Sequence, residues 1–175
     1  TDNVKSKDNI IANAKTDRTR FYLGNEFGFN EVGESWGVVD RGYGRSVAIL
    51  DYDNDGDEDA LISTLYGPWI LYRNDSPAPA NRWLRLAFRG TVSNWDGYGT
   101  VVRATAGGVT QTALYAPTNA YLAQREPYLH LGLGTAAAVE TLVIEWPNGA
   151  VQTLASVPTN QVLTLVEPSV TTNTP

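Results

Sequence analysis

The sequence predicts an all-β protein: an antiparallel β-sandwich preceded by a smaller hairpin module. Three observations predict it. From Trp83 onward, apolar residues recur with a period of two. Gly-Gly and Asn-Gly pairs interrupt those runs where hairpins would turn. Upstream, the acidic stretch DYDNDGDED lies between two strand-like segments, SVAIL and ALIST. Many short strands with frequent turns are the pattern of a sandwich or barrel.

The elements follow in order. Residues 1–20 are polar and weakly patterned, and are expected to be a lead-in with at most a helical turn. Residues 21–75 form the hairpin module. Its first part, to Gly44, is rich in Gly and aromatics and predicts short strands and turns. SVAILDYD then runs as a strand into the acidic loop, DALISTLY leaves it, and PWILYRND gives a third strand. Residues 76–82 read as a linker, with Pro77 and Pro79 shortly before a new strand. In the sandwich, 83–167, Leu84, Leu86 and Phe88 face one way and Arg85 and Arg89 the other. Gly107-Gly108 separates TVVRATA from VTQTALY. Leu129, Leu131 and Leu133 alternate with Tyr128 and His130, and Leu142, Ile144 and Trp146 alternate with polar residues up to Asn148-Gly149. VQTL and QVLTLVE complete the series, and 168–175 has no apolar face and reads as a loose tail.

The chain has 175 residues and a formal net charge of −6. That length suits one domain, or one small module attached to another. Six of the nine residues in DYDNDGDED are acidic, and outside it the chain carries 13 acidic and 13 basic residues. The acidity is therefore local, and no basic patch points to nucleic acid or an anionic membrane. There is no Cys, so no disulfide, zinc-thiolate site or cysteine nucleophile exists. No apolar run approaches the roughly 20 residues of a spanning helix.

The acidic loop has the spacing of a cation site. Counted from Asp51, side-chain oxygens fall at positions 1, 3, 5 and 9: Asp51, Asp53, Asp55 and Asp59. Gly56 permits a sharp turn with positive φ, and Asp57 offers its backbone carbonyl. Ca²⁺ takes six to eight oxygens at roughly 2.3–2.6 Å, whereas Mg²⁺ demands a tighter octahedron and keeps its waters. The helical calcium loop requires Glu at position 12; here that position is Ile62, inside a strand-like run. The expectation is a strand–loop–strand Ca²⁺ site with Glu58 facing solvent. The bland alternative is a solvated acidic turn.

Other features weigh less. GESWG (33–37) matches the G-x-S-x-G nucleophile elbow, but VVDRGYG after it is no helix. One His, no Cys and no paired carboxylates outside the loop argue against an enzyme, and His130 reads as a hydrogen-bonded structural residue. SNWDGYG (93–99) is either an Asp-Gly turn with aromatic flanks or a second ligand turn. In it Trp95 and Tyr98 form a candidate sugar-stacking platform with Asp96 as a further ligand-binding candidate, whereas Trp83 and Trp146 are expected in the core or between modules.

GRSVAILDYDNDGDEDALIST followed by LYRND resembles an FG-GAP/VCBS repeat, the calcium-bearing blade of integrin-type β-propellers. The second half resembles the ASPIC/UnbV domain of the cartilage acidic protein family through NRWLRLAFRGTVSNWDGYGTVV, AYLAQREPYLHLGLG, VETLVIEWPNGAVQTL and NQVLTLVE. The likeness covers roughly residues 36–167. It implies a propeller-blade-like module before an ASPIC/UnbV sandwich, with Asp51, Asp53, Asp55, Asp57 (through its carbonyl) and Asp59 as calcium ligands. It also implies a secreted or cell-surface, non-enzymatic module for adhesion or recognition of a protein or matrix partner. A periplasmic location is the alternative compartment, and carbohydrate binding the alternative function. Propellers need four to eight blades, and this chain has room for one before the linker. Its open edge invites self-association.

Overall fold

The computed structural model describes residues 18–65, 67–75, 80–116, 118 and 120–169. Most of the expected lead-in and tail, and 76–79 of the expected linker, lie outside them. The fold is all-β. A hairpin of β1 (Tyr22–Asn25) and β2 (Gly28–Glu31) comes first, followed by a 3₁₀ turn at Glu34–Trp36. The strands β3 (Gly44–Leu50), β4 (Asp59–Thr64) and β5 (Ile70–Tyr72) make an antiparallel three-stranded sheet in chain order.

Two further sheets stack into the sandwich. One has the order β11-β10-β7-β8: β7 is Val101–Ala106, β8 Val109–Leu114, β10 Ala138–Glu145 and β11 Val151–Pro158. The other has the order β12-β6-β9: β6 is Trp83–Arg89, β9 Leu129–Gly132 and β12 Gln161–Val166. Leu84, Leu86, Leu129, Leu131 and Leu165 from this sheet meet Val102, Ala104, Val139, Leu142 and Ile144 from the other in one core. Alternation along each strand puts these residues on the inner faces. Burying each large one contributes about 2 kcal/mol. Trp146 joins this core, edge-on to Phe88 at 5.8 Å.

Turn chemistry sets the hairpins. Gly107 and Gly108 have φ of 57° and 76°, the paired left-handed residues that match strand twist in a two-residue turn. At Asn148-Gly149 the loop is longer. Pro147 has no N–H for the closing pair of a two-residue turn, so the bond moves outward to Trp146 N–H donating to the Ala150 carbonyl at 2.8 Å. Gly149 takes the left-handed residue, with φ of 86°. One pairing departs from the antiparallel expectation: β12 runs parallel to β6. After β11 the chain leaves its sheet at Thr159-Asn160 and enters the other one. Asn160 receives the Trp83 N–H on its side-chain oxygen at 3.2 Å and donates its own N–H to the Trp83 carbonyl at 2.6 Å.

Glu167, just past β12, anchors the 91–93 segment that leads into the SNWDGYG turn. Its Oε2 accepts the N–H groups of Thr91, Val92 and Ser93 at 2.7, 2.7 and 2.8 Å, and its Oε1 accepts the Ser93 hydroxyl at 2.5 Å. Burial alone would push this carboxyl up; the Ser93 hydroxyl and the backbone N–H groups overcome that and bring it down to about 2. A carboxylate depressed below its ordinary value of about 4.3 stabilises the fold at neutral pH. That contribution is lost as pH falls from above 4 through about 2. Glu167→Gln is expected to cost about 2–3 kcal/mol at pH 7. In urea melts repeated at falling pH, the gap between variant and parent should narrow across that window.

Candidate metal centre

Strands β3 and β4 bring the two ends of the acidic loop together, with Leu50 opposite Asp59 in the register. Between them the backbone curls through two left-handed residues, Asn54 (φ 60°) and Gly56 (φ 98°). Both residue types tolerate that region. The curl turns N–H groups inward. Asp51 accepts from Asp55 N–H on Oδ1 and from Gly56 N–H on Oδ2, both at 3.1 Å. Asp59 accepts from Tyr52 N–H at 3.0 Å and from Asn74 N–H at 2.8 Å, which ties the loop to the end of β5.

Asp51, Asp53 and Asp59 each offer a carboxylate oxygen within 4.8 Å of the others. That separation suits three oxygens around one Ca²⁺-sized ion. Asp51 and Asp59 are buried and Asp53 is exposed, so the site has a fixed floor and an open side. Partial desolvation within the curled loop, then the neighbouring Asp55 and Asp59, raises the Asp53 carboxyl above its ordinary value. Burial and Asp55 likewise raise Asp57. Asp51 Oδ2 is filled by Gly56 N–H and Arg85, but Asp51 Oδ1 and both Asp59 oxygens accept one bond each and keep lone-pair capacity, and the donor set is oxygen only. These residues fit a hard divalent cation.

The other expected ligands lie differently. Asp55 accepts the Asp57 N–H on its own Oδ1 at 2.9 Å and stands outside the group of three, as does the Asp57 side chain. Glu58 does not face solvent alone: it pairs with Arg125 at 2.5 Å.

The floor of the site is the outer face of the sandwich. Leu84 and Leu86 point to the core, so Arg85 between them points out, yet it is only 4% exposed. The acidic loop covers it. Its guanidinium donates to Asp51 Oδ2 at 3.0 Å and to Glu126 Oε2 at 2.5 Å, and lies 4.4 Å from the Tyr128 ring centroid. Burial pushes the Glu126 carboxyl up, with Arg85 opposing. Gly56 meets the same face: a Cβ there would fall 1.8 Å from Trp83 Nε1. His130 sits opposite Arg85 in the register and stacks on Trp83 at 6.4 Å; burial lowers its pKa.

Sequence reasoning placed Arg85 on the outer face but missed its burial and its bond to Asp51. The period of two gives a residue's face; it does not say what covers that face.

The remaining candidates are also placed. Ser35 lies in the 3₁₀ turn and donates its hydroxyl to the Val32 carbonyl at 2.8 Å, so GESWG does not build a strand-to-helix elbow. In SNWDGYG, Asn94 closes on Tyr98 through two bonds of 2.8 Å, and Tyr98 packs on Tyr115 at 5.1 Å. Trp95 is 70% exposed with Arg89 5.5 Å from its ring centroid. Asp96 is exposed and belongs to no group of three acidic ligands among the described residues.

Residues 90–172 match the family described as ASPIC and UnbV. The acidic loop lies before that match. A curated relative, Cartilage acidic protein 1 of Mus musculus, is 27% identical over 133 residues, covering 73% of this chain. The chain spans 20% of that relative's length.

Proposed function

We propose, from the premise that residues 90–172 carry an ASPIC/UnbV-type domain, that the chain is a non-catalytic, extracellular calcium-binding module that recognises a protein or matrix partner. The acidic loop and its three strands make an FG-GAP/VCBS-like blade. Ca²⁺ held by Asp51, Asp53 and Asp59, with Asp55 and the Asp57 carbonyl completing the shell, locks that blade onto the sandwich. One observation carries the reading: Asp51 belongs both to the acidic group and to the buried Arg85 pair. An ion there fixes the loop and its docking together. A relative named for cartilage supports a matrix setting.

The ion supplies positive charge at the junction; the protein's own residues do the positioning. Without a cation, the clustered carboxylates repel one another within one turn. Saturating Ca²⁺, at about 100 times its dissociation constant, should stabilise the fold by about 2.7 kcal/mol. For a chain of this size that raises the melting temperature by about 5–10 °C. Asp53→Asn, at an exposed position, should melt like the parent in EDTA and lose most of the Ca²⁺ shift. Coincident melts of the parent in EDTA and in excess Ca²⁺ would sink the proposal, and an equal response to Mg²⁺ would remove calcium as the ion.

A further inference from the structure

Among the described residues, neither strand of the first hairpin pairs with another sheet. All eight residues of β1 and β2 are exposed, and Phe27 and Phe29 at its tip are 92% and 77% exposed. A lone two-stranded hairpin is marginal in water, and exposed aromatic clusters mark interfaces. Its root is nevertheless fixed. Arg18 pairs with Glu31 at 2.6 Å, Val32 N–H donates to the Phe21 carbonyl at 2.8 Å, and Phe21 packs on Trp36 at 5.4 Å. The hairpin therefore projects from an anchored base with its apolar tip outward.

Beside that base lies a groove of about 760 Å³. Val47, Ile49 and Ile62 from one face of the three-stranded sheet form its apolar floor, with Trp36 and Tyr72 as walls. Its rim carries Arg45, 5.6 Å from the Tyr121 ring centroid, and Arg73, already paired with Asp75 at 2.7 Å; Glu58, already paired with Arg125, is the one carboxylate among its described lining residues. In a chain of net charge −6, this is a cationic, aromatic recess. The hairpin tip has the opposite character: Glu26 immediately precedes Phe27.

We propose that two copies of this chain exchange hairpins, each placing Phe27 in the other's groove with Glu26 against Arg45. Reciprocal insertion makes a closed two-fold dimer, because each copy gives one hairpin and accepts one. The groove is large enough for an aromatic side chain and its neighbours, and the facing charges set the register. The proposal concerns the sheet face rather than its edge and does not depend on the metal.

The absence of native cysteine allows a direct test. Chains carrying Phe27→Cys are mixed with chains carrying Val47→Cys under mild oxidation. Both positions are exposed, so neither change should disturb folding. A disulfide-linked heterodimer is expected, with none when the Phe27→Cys chain is paired with Val162→Cys on the sandwich. Sedimentation of the unlinked protein should show a monomer–dimer equilibrium. Phe27→Ser should weaken it by about 30-fold. Glu26→Arg and Arg45→Glu should each weaken it by about tenfold, and their combination should restore it. A monomer at every concentration, equal linkage to both partner positions, or a Phe27→Cys, Val47→Cys double variant linked only within one chain would each overturn the proposal.

Discussion

Replacing Arg85 with methionine should destabilise the protein by about 3–5 kcal/mol, the largest loss we expect from any single change outside the hydrophobic core. The stem of methionine fills much of the same space, so the effect is electrostatic. Arg85 is buried between two carboxylates, Asp51 at 3.0 Å and Glu126 at 2.5 Å. Asp51 is buried and Glu126 partly so, and both lose their counter-charge when the guanidinium goes. A buried ion pair is weak evidence for stability in itself, but removing one partner is costly. Arg85→Met combined with Glu126→Met should therefore recover part of the loss. Calcium adds a second expectation. An ion on Asp51 supplies the missing positive charge, so the deficit should be larger in EDTA than in saturating Ca²⁺. Denaturant melts of the parent, the single and the double variant in both buffers measure all of this. A single variant within 1 kcal/mol of the parent would mean that the loop does not depend on this contact.

Gly56→Ala is the second. Two independent costs meet there. The backbone has φ of 98°, where an L side chain is strained by about 1–3 kcal/mol. The new methyl would also fall 1.8 Å from the Trp83 indole nitrogen, so the ring or the loop must move. Together they should cost about 3 kcal/mol or more and weaken Ca²⁺ binding, since the Gly56 N–H that holds Asp51 Oδ2 shifts with the loop. Adding Trp83→Leu separates the terms: the steric part should be relieved and the strain should remain. Isothermal titration with Ca²⁺ and thermal melts of both variants give the partition. If Gly56→Ala binds Ca²⁺ and melts like the parent, the loop does not rest on Trp83 as described.

What could be read in advance follows from range. Leu84-Leu86-Phe88 and Leu142-Ile144-Trp146 announce their strands because a period of two is local, and the core contains these residues. The spacing of Asp51, Asp53 and Asp59 is local too, and their oxygens do converge. Arg85, Glu126, Arg125 and Glu167 were illegible as partners. Their contacts join residues between 34 and 76 positions apart, and no spacing rule reaches that far. The parallel β12–β6 pairing was hidden for the same reason. Apolar alternation gives the face of a strand, while its neighbour is chosen by the crossover at Asn160.

That crossover also bears on how the protein is made. Trp83 and Asn160, which open the β6–β12 pairing, are 77 residues apart in the chain. As synthesis proceeds, β6 must wait with one edge bare until β12 has emerged, and the surface that receives the acidic loop waits with it. Pairings of such long range form slowly, and an unpaired apolar strand is a site for wrong partners. The nascent chain thus spends its most vulnerable interval with its longest-range strand partner still unavailable. The outer face of β6 carries Arg85 and Arg89, and charges on a bare strand oppose edge-to-edge pairing while it waits.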